Sequence, residues 1–194
     1  RVGFAQMNLF RPAFKPGSFD VVLCNGVLHH TADPRGGFDG LVPLVAPGGH
    51  IVVGLYNRWG RLMTDLRRRL FRVTGGRARW LDPYLRGAAL SPDKENAWFA
   101  DQYQHPHESK HTVGEVLDWF EASGVRPLRA IPAFTLDASA PGASELFSRS
   151  HLGSKFDRGV AQLGQIASGN KEGGFFLLIG QRVSGQKPEA DADS

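Results

Sequence analysis

Two short apolar runs constrain this chain more than any other feature. Phe19-Asp20-Val21-Val22-Leu23-Cys24 is almost continuously apolar, and Ile51-Val52-Val53-Gly54-Leu55-Tyr56 is apolar throughout. Both are rich in β-branched residues. A strand buried on both faces reads this way, as in a parallel sheet. Between the runs, Asp33-Pro34 offers an N-cap and a first-turn proline. Phe38, Leu41, Val42 and Val45 then follow at helical spacing, with Pro43 placed to kink or shorten the helix. Pro47-Gly48-Gly49 turns the chain into the second run. Strand, helix, turn and strand in this order make a βαβ unit, with a right-handed crossover expected.

Further elements follow the same logic. Val2–Met7 reads as a short strand. Arg61–Val73 reads as a helix ended by Gly75-Gly76, with Leu62, Met63, Leu66, Leu70 and Val73 sharing a face while Arg61, Arg68 and Arg72 point elsewhere. Residues Trp80–Lys110 look irregular, with a helix near Glu95–Asp101. Thr112-Val113-Gly114-Glu115 is a capping box opening a helix whose Val116, Leu117 and Phe120 face the core, and Gly124 ends it. Arg126–Phe134 reads as a strand and Asp137–Gly153 as loop. Ser154 and Asp157 start a further helix with Phe156, Val160 and Leu163 as its apolar stripe. Phe175–Gly180, entered through Gly173-Gly174, is the last strand, and Ser184–Ser194 a polar, disordered tail.

The 194 residues suit one domain. The longest apolar runs, Ile51–Tyr56 and Phe175–Gly180, hold six residues each, against about 20 for a bilayer-spanning helix, so no transmembrane segment is expected. Cys24 is the single cysteine, which excludes an internal disulfide and fits a reducing, cytoplasmic setting. No signal peptide pattern is visible, and the chain reads as a piece of something longer.

Charge is uneven. The net charge is +4, yet Asn57–Arg86 alone holds nine arginines against two aspartates, a local +7. An anionic partner at this Arg-rich helix is one consequence: nucleic-acid phosphate or an anionic membrane surface. In the reading preferred here, the apolar face caps a site while the arginines stay solvated. Asp101–His111 gathers three histidines, an aspartate and a glutamate. Their spacing matches no zinc signature, and no metal is expected.

Asn8-Leu9-Phe10-Arg11-Pro12-Ala13-Phe14-Lys15-Pro16-Gly17-Ser18-Phe19-Asp20-Val21-Val22 resembles the middle of class I S-adenosylmethionine-dependent methyltransferases. Leu28-His29-His30-Thr31-Ala32-Asp33-Pro34 resembles the family's loop after its fourth strand, and Pro47-Gly48-Gly49-His50-Ile51-Val52-Val53 its approach to the fifth. The resemblance implies an α/β fold, a Rossmann-like sheet in strand order 3-2-1-4-5-7-6 with the seventh antiparallel. The family's glycine-rich cofactor loop and its ribose-binding acid have no match here, and no Gly-x-Gly-x-Gly occurs. Residues 1–183 would then be a partial methyltransferase domain, incomplete at its N-terminal side, with 57–111 as a lid-like insertion after the fifth strand and 184–194 as the tail.

Ligands in open α/β sheets sit outside the carboxyl ends of the strands. By resemblance, Asn8 and Leu9 would meet the adenine of S-adenosylmethionine, while Cys24, Asn25, Gly26 and Val27 would face its methionine part. Tyr56, Asn57 and Arg58 would form the acceptor edge, joined by Glu108 and His111 from the lid. His29, His30 and His107 are the candidate catalytic groups, histidine being suited to proton transfer near neutral pH. The expected activity is methyl transfer to an unidentified acceptor, from a fragment inactive by itself. The alternative is a non-catalytic methyltransferase-like module binding RNA or a partner through its Arg-rich helix. A nicotinamide dehydrogenase fits poorly, since its glycine fingerprint is also missing.

Overall fold

Four strands make one sheet in the order β1-β2-β4-β3. They are β1 (Phe19–Asn25), β2 (Val45–Tyr56), β3 (Val125–Ile131) and β4 (Phe175–Arg182). The computed structural model describes residues 2–87, 90–104, 108–133, 142–167 and 174–183. β1 and β2 are parallel, and β4 runs antiparallel to both its neighbours, β2 and β3. This is the 4-5-7-6 half of the expected order, with the seventh strand reversed as the resemblance implies.

The βαβ unit forms as its sequence dictates. Asp33 caps α1 (Pro34–Leu41), its Oδ1 accepting the Gly36 N–H at 2.8 Å. Pro43 turns the helix end into a 3-10 segment at Val42–Leu44. The Pro47-Gly48-Gly49 turn lies within the span of β2, as a register shift between Phe19/Val45 and Val21/His50. α1 and α5 (Val113–Ala122) cover the sheet, and Phe38 stacks on Phe120 with centroids 5.1 Å apart. Leu28, Val45, Ile51, Val53, Leu55 and Leu178 are wholly buried beside them. The Thr112–Glu115 capping box is present in both directions.

The segment after β2 holds α2 (Leu62–Val73), α3 (Pro83–Gly87), α4 (Pro92–Phe99) and a π-helical turn at Ala100–Gln104. It has a small core of its own, Phe71, Phe99 and Tyr103. α6 (Lys155–Ala167) precedes β4. Among the described residues no helix is long and apolar enough to cross a membrane.

Three expectations need correction. Val2–Met7 forms no strand: among the described residues it finds no ladder partner, and a strand without one has no place for its backbone donors and acceptors. The apolar face of α2 points outward, not onto the fold, because Phe71, Thr64, Arg61 and Arg68 take the inward positions. Phe156 of α6 is exposed rather than part of a buried stripe. The proposed tail 184–194, Gly173, the end of the Arg126–Phe134 strand and the side chain of Leu163 lie outside the described residues.

Candidate active-site rim

Parallel pairing brings the carboxyl ends of β1 and β2 to one rim. Asn25 pairs with Gly54, and the Gly26 N–H donates to the Gly54 carbonyl at 3.2 Å. Gly26 holds φ +73°, and a Cβ there would meet nothing within 4 Å. Its backbone therefore turns in the left-handed region with open space beside it. Gly54 is tight instead: a Cβ would lie 2.2 Å from Asn25 Oδ1 and 2.6 Å from the Phe175 ring. The rim closes only because position 54 has no side chain. Cys24 is buried below, and desolvation pushes its thiol pKa up, so it acts as a small hydrophobe. Val27 is exposed.

His29 is buried at this rim. Its ring lies 4.1 Å from His30, 4.6 Å from Tyr56 and 6.3 Å from Phe175, centroid to centroid. Its carbonyl accepts the Ser109 N–H at 2.8 Å, which ties the end of the insertion to the loop after β1. His30 is half-buried. Sequence reasoning missed Phe175 and Ser109, because they join the rim from the last strand and from the far end of the insertion.

The expected acceptor residues divide. Tyr56 lies on the rim, with the Arg61 guanidinium 4.1 Å from its ring centroid. Asn57 is buried and shapes the turn: Oδ1 accepts the Trp59 and Gly60 N–H groups at 2.9 and 3.3 Å, and its own N–H donates to Gly174 at 2.7 Å. Arg58 is exposed, its N–H bonded to the His111 carbonyl at 3.1 Å. The Glu108 carboxylate is 2% exposed and engaged by Arg61 Nη2 at 2.8 Å and Arg68 Nη2 at 3.3 Å. His111 is buried, with Nδ1 2.8 Å from Glu115 Oε1 and Nε2 2.9 Å from Ser109 Oγ. Glu108 and His111 thus serve as fastenings in this structure. His107 lies outside the described residues.

Asn8 and Leu9 lie before β1, with Leu9 packed on the core cluster that holds Cys24 and Leu28. Asn8 is exposed, and its Oδ1 accepts the Phe10 N–H at 2.9 Å, which leaves one lone pair of that oxygen for a further donor. Leu9 packs on α1, close to Gly37 and Gly40. Among the described residues no three histidine, cysteine or acidic side chains gather as a metal site.

A concavity of about 250 Å³ lies in the segment after β2. Arg68, Arg72 and Arg79, the Gly75-Gly76 turn, and Phe71, Phe99 and Tyr103 line it. Burial, then the hydrogen bond to Asp82, pushes the Tyr103 phenol up to about 12.

Sheet order, the reversed seventh-type strand and the glycine-turned rim agree. The fold is a Rossmann-like α/β sheet, similar to that of class I methyltransferases. Residues 1–51 match the family described as "Methyltransferase domain". The chain is similar to "Uncharacterized protein syc1184_c" of Synechococcus sp., 30% identical over 148 residues, which is 64% of this chain and 35% of that protein. It is also similar to the ubiquinone biosynthesis O-methyltransferase of Cupriavidus pinatubonensis, 46% identical over 46 residues, or 24% of this chain and 18% of that one. Among solved structures, PKMT2 from Rickettsia typhi superposes with a TM-score of 0.58 at 12% identity, covering 89% of this chain and 37% of that chain. The chain therefore spans about a third or less of the curated relatives it matches.

Proposed function

We propose that this chain supplies the C-terminal half of an S-adenosylmethionine-dependent methyltransferase site. The observation that carries the reading is the shared rim of β1 and β2, with open backbone at Gly26 beside a cluster of His29, His30, Tyr56 and Phe175. In this reading Gly26 and Val27 line the side that takes the cofactor, and among the described residues a Cβ at Gly26 would meet nothing within 4 Å. When bound, S-adenosylmethionine supplies an electrophilic methyl carbon. The chain's own work is positioning, which accounts for much of such a rate enhancement. The rings of His29, Tyr56 and Phe175 exclude water, and His30, half-buried beside His29, takes a proton from an acceptor that must lose one. This reading requires a glycine-rich loop and a ribose-binding acid, which have no match in these 194 residues. The outer edge of β1 supports this: β1 ends the strand order, with no further strand beside it among the described residues.

The test uses the full gene product: calorimetry with S-adenosylmethionine, and transfer of a tritiated methyl group into cell extract. A binding isotherm and label in a fraction are expected, both lost in Gly26→Val, which forces a branched side chain into a left-handed turn. Neither heat nor label from the intact protein would leave the second reading, a non-catalytic module taking an anionic partner at α2. The arginine-lined concavity beside α2 favours that alternative.

A further inference from the structure

We infer that α2 is an interfacial helix that lies on an anionic lipid bilayer. The inference deepens the anionic-partner reading of α2 and does not depend on methyl transfer. Leu62, Met63, Leu66, Leu70 and Val73 are all exposed, with Leu66 at 60% and Val73 at 87%. On a 3.6-residue period these five fall within an arc of roughly 100°. The opposite side of the same helix carries Phe71 and Thr64, both buried against the fold. The exposed arc is therefore surplus to folding: α2 already has an inward face, held by Phe71 on Phe99 and Tyr103 and by Arg61 and Arg68 on Glu108.

The surroundings of the arc choose its occupant. Arg69 borders it on α2 and Arg72 stands further round on the same side, with Arg58 before the helix and Arg77 after it, all exposed. Among the described residues no carboxylate pairs with any of these four, whereas Asp65, the acid of α2, is engaged by Lys110. Trp59 and Trp80 are exposed on either side of the helix in sequence, and tryptophan favours the bilayer–water boundary. A second copy of this face would bring unpaired arginines against arginines. An RNA backbone would satisfy the arginines but leave five aliphatic side chains in water. An anionic bilayer takes both, apolar side chains below the headgroups and guanidinium groups among the phosphates.

The experiment is co-sedimentation of the intact chain with vesicles of phosphatidylcholine alone or with about one-third phosphatidylglycerol. Binding to the anionic vesicles alone, weakened at about 0.5 M salt, is expected. Leu66→Glu is expected to lower that binding about tenfold or more, and Arg69→Glu with Arg72→Glu to abolish the preference for anionic lipid. Residues 66, 69 and 72 are exposed, and unchanged melting of each variant shows that folding is intact. Sedimentation that ignores Leu66→Glu, equal binding to neutral vesicles, or no binding overturns the inference. RNA retention lost in the arginine variant, without vesicle binding, overturns it while keeping the anionic partner; retention of neither ends both. A dimer in light scattering that Leu66→Glu dissociates, with no vesicle binding, assigns the face to a second copy.

Discussion

Between α1, α5 and the sheet, Phe38 stacks on Phe120 among aliphatic side chains, with scarcely a polar group in the layer. In the segment after β2 the most deeply buried large side chain is Arg61, 1% exposed and held bidentately by Glu108 with a further bond to Gln102 at 2.8 Å. Beside it the Tyr103 hydroxyl meets Asp82 at 2.5 Å, and Asp82 also accepts the Tyr84 and Leu85 N–H groups. The first region is held by area removed from water, which is non-directional and tolerant of sequence. The second is held by charged, directional bonds, which specify one orientation and penalise any missing partner. A region built the second way can turn its apolar residues outward and remain folded.

Four substitutions probe that contrast. Phe120→Ala removes a wholly buried ring and is expected to lower global stability by about 3–5 kcal/mol in urea unfolding; a loss confined to the insertion would break the comparison. Glu108→Ala strands the Arg61 charge, at a cost of about 3–5 kcal/mol. Its signature is faster amide exchange in residues 57–104 with the sheet still protected, and Glu108→Gln, which keeps acceptors, should do less. Uniform loosening would mean that the two regions form one cooperative unit.

Tyr103→Phe leaves Asp82 without its phenol and is expected to cost about 1–3 kcal/mol. It also bears on pH. The folded-state pKa is about 12 against an ordinary 10.0, so the contribution is complete below pH 10 and disappears as pH rises through 12. The wild-type insertion should lose protection across that window, and the phenylalanine variant should not show the step. Thr112→Ala removes the cap of α5 and is expected to cost about 1 kcal/mol, read as a small shift in thermal melting.

What was legible in the residues follows the same division. β1, β2 and β4, the Asp33 and Thr112 caps and the shortening at Pro43 all appear where local pattern places them. Each depends on neighbours within a few residues, or on apolar continuity that only a buried strand needs. Val2–Met7 had strand composition but no strand beside it, and composition cannot supply a ladder. The orientation of α2 read backwards, since periodicity finds an apolar face without saying whether the fold or something else covers it. Glu108 is paired with Arg61 across 47 residues of chain, which no local pattern shows, whereas His111 bonds to its near neighbours Ser109 and Glu115, and Asn57 to its own turn.

By itself the sequence determined the strands, the caps and the parallel start of the sheet, because backbone geometry and burial on both faces are local demands. Tertiary structure alone decided that Gly26 lies open while Gly54 is enclosed, that Phe175 and Ser109 reach His29, and that Arg61 turns inward. Those outcomes depend on which atoms meet across long stretches of chain. A charge becomes a buried strut or a solvated surface group only when a carboxylate such as Glu108 is brought within reach.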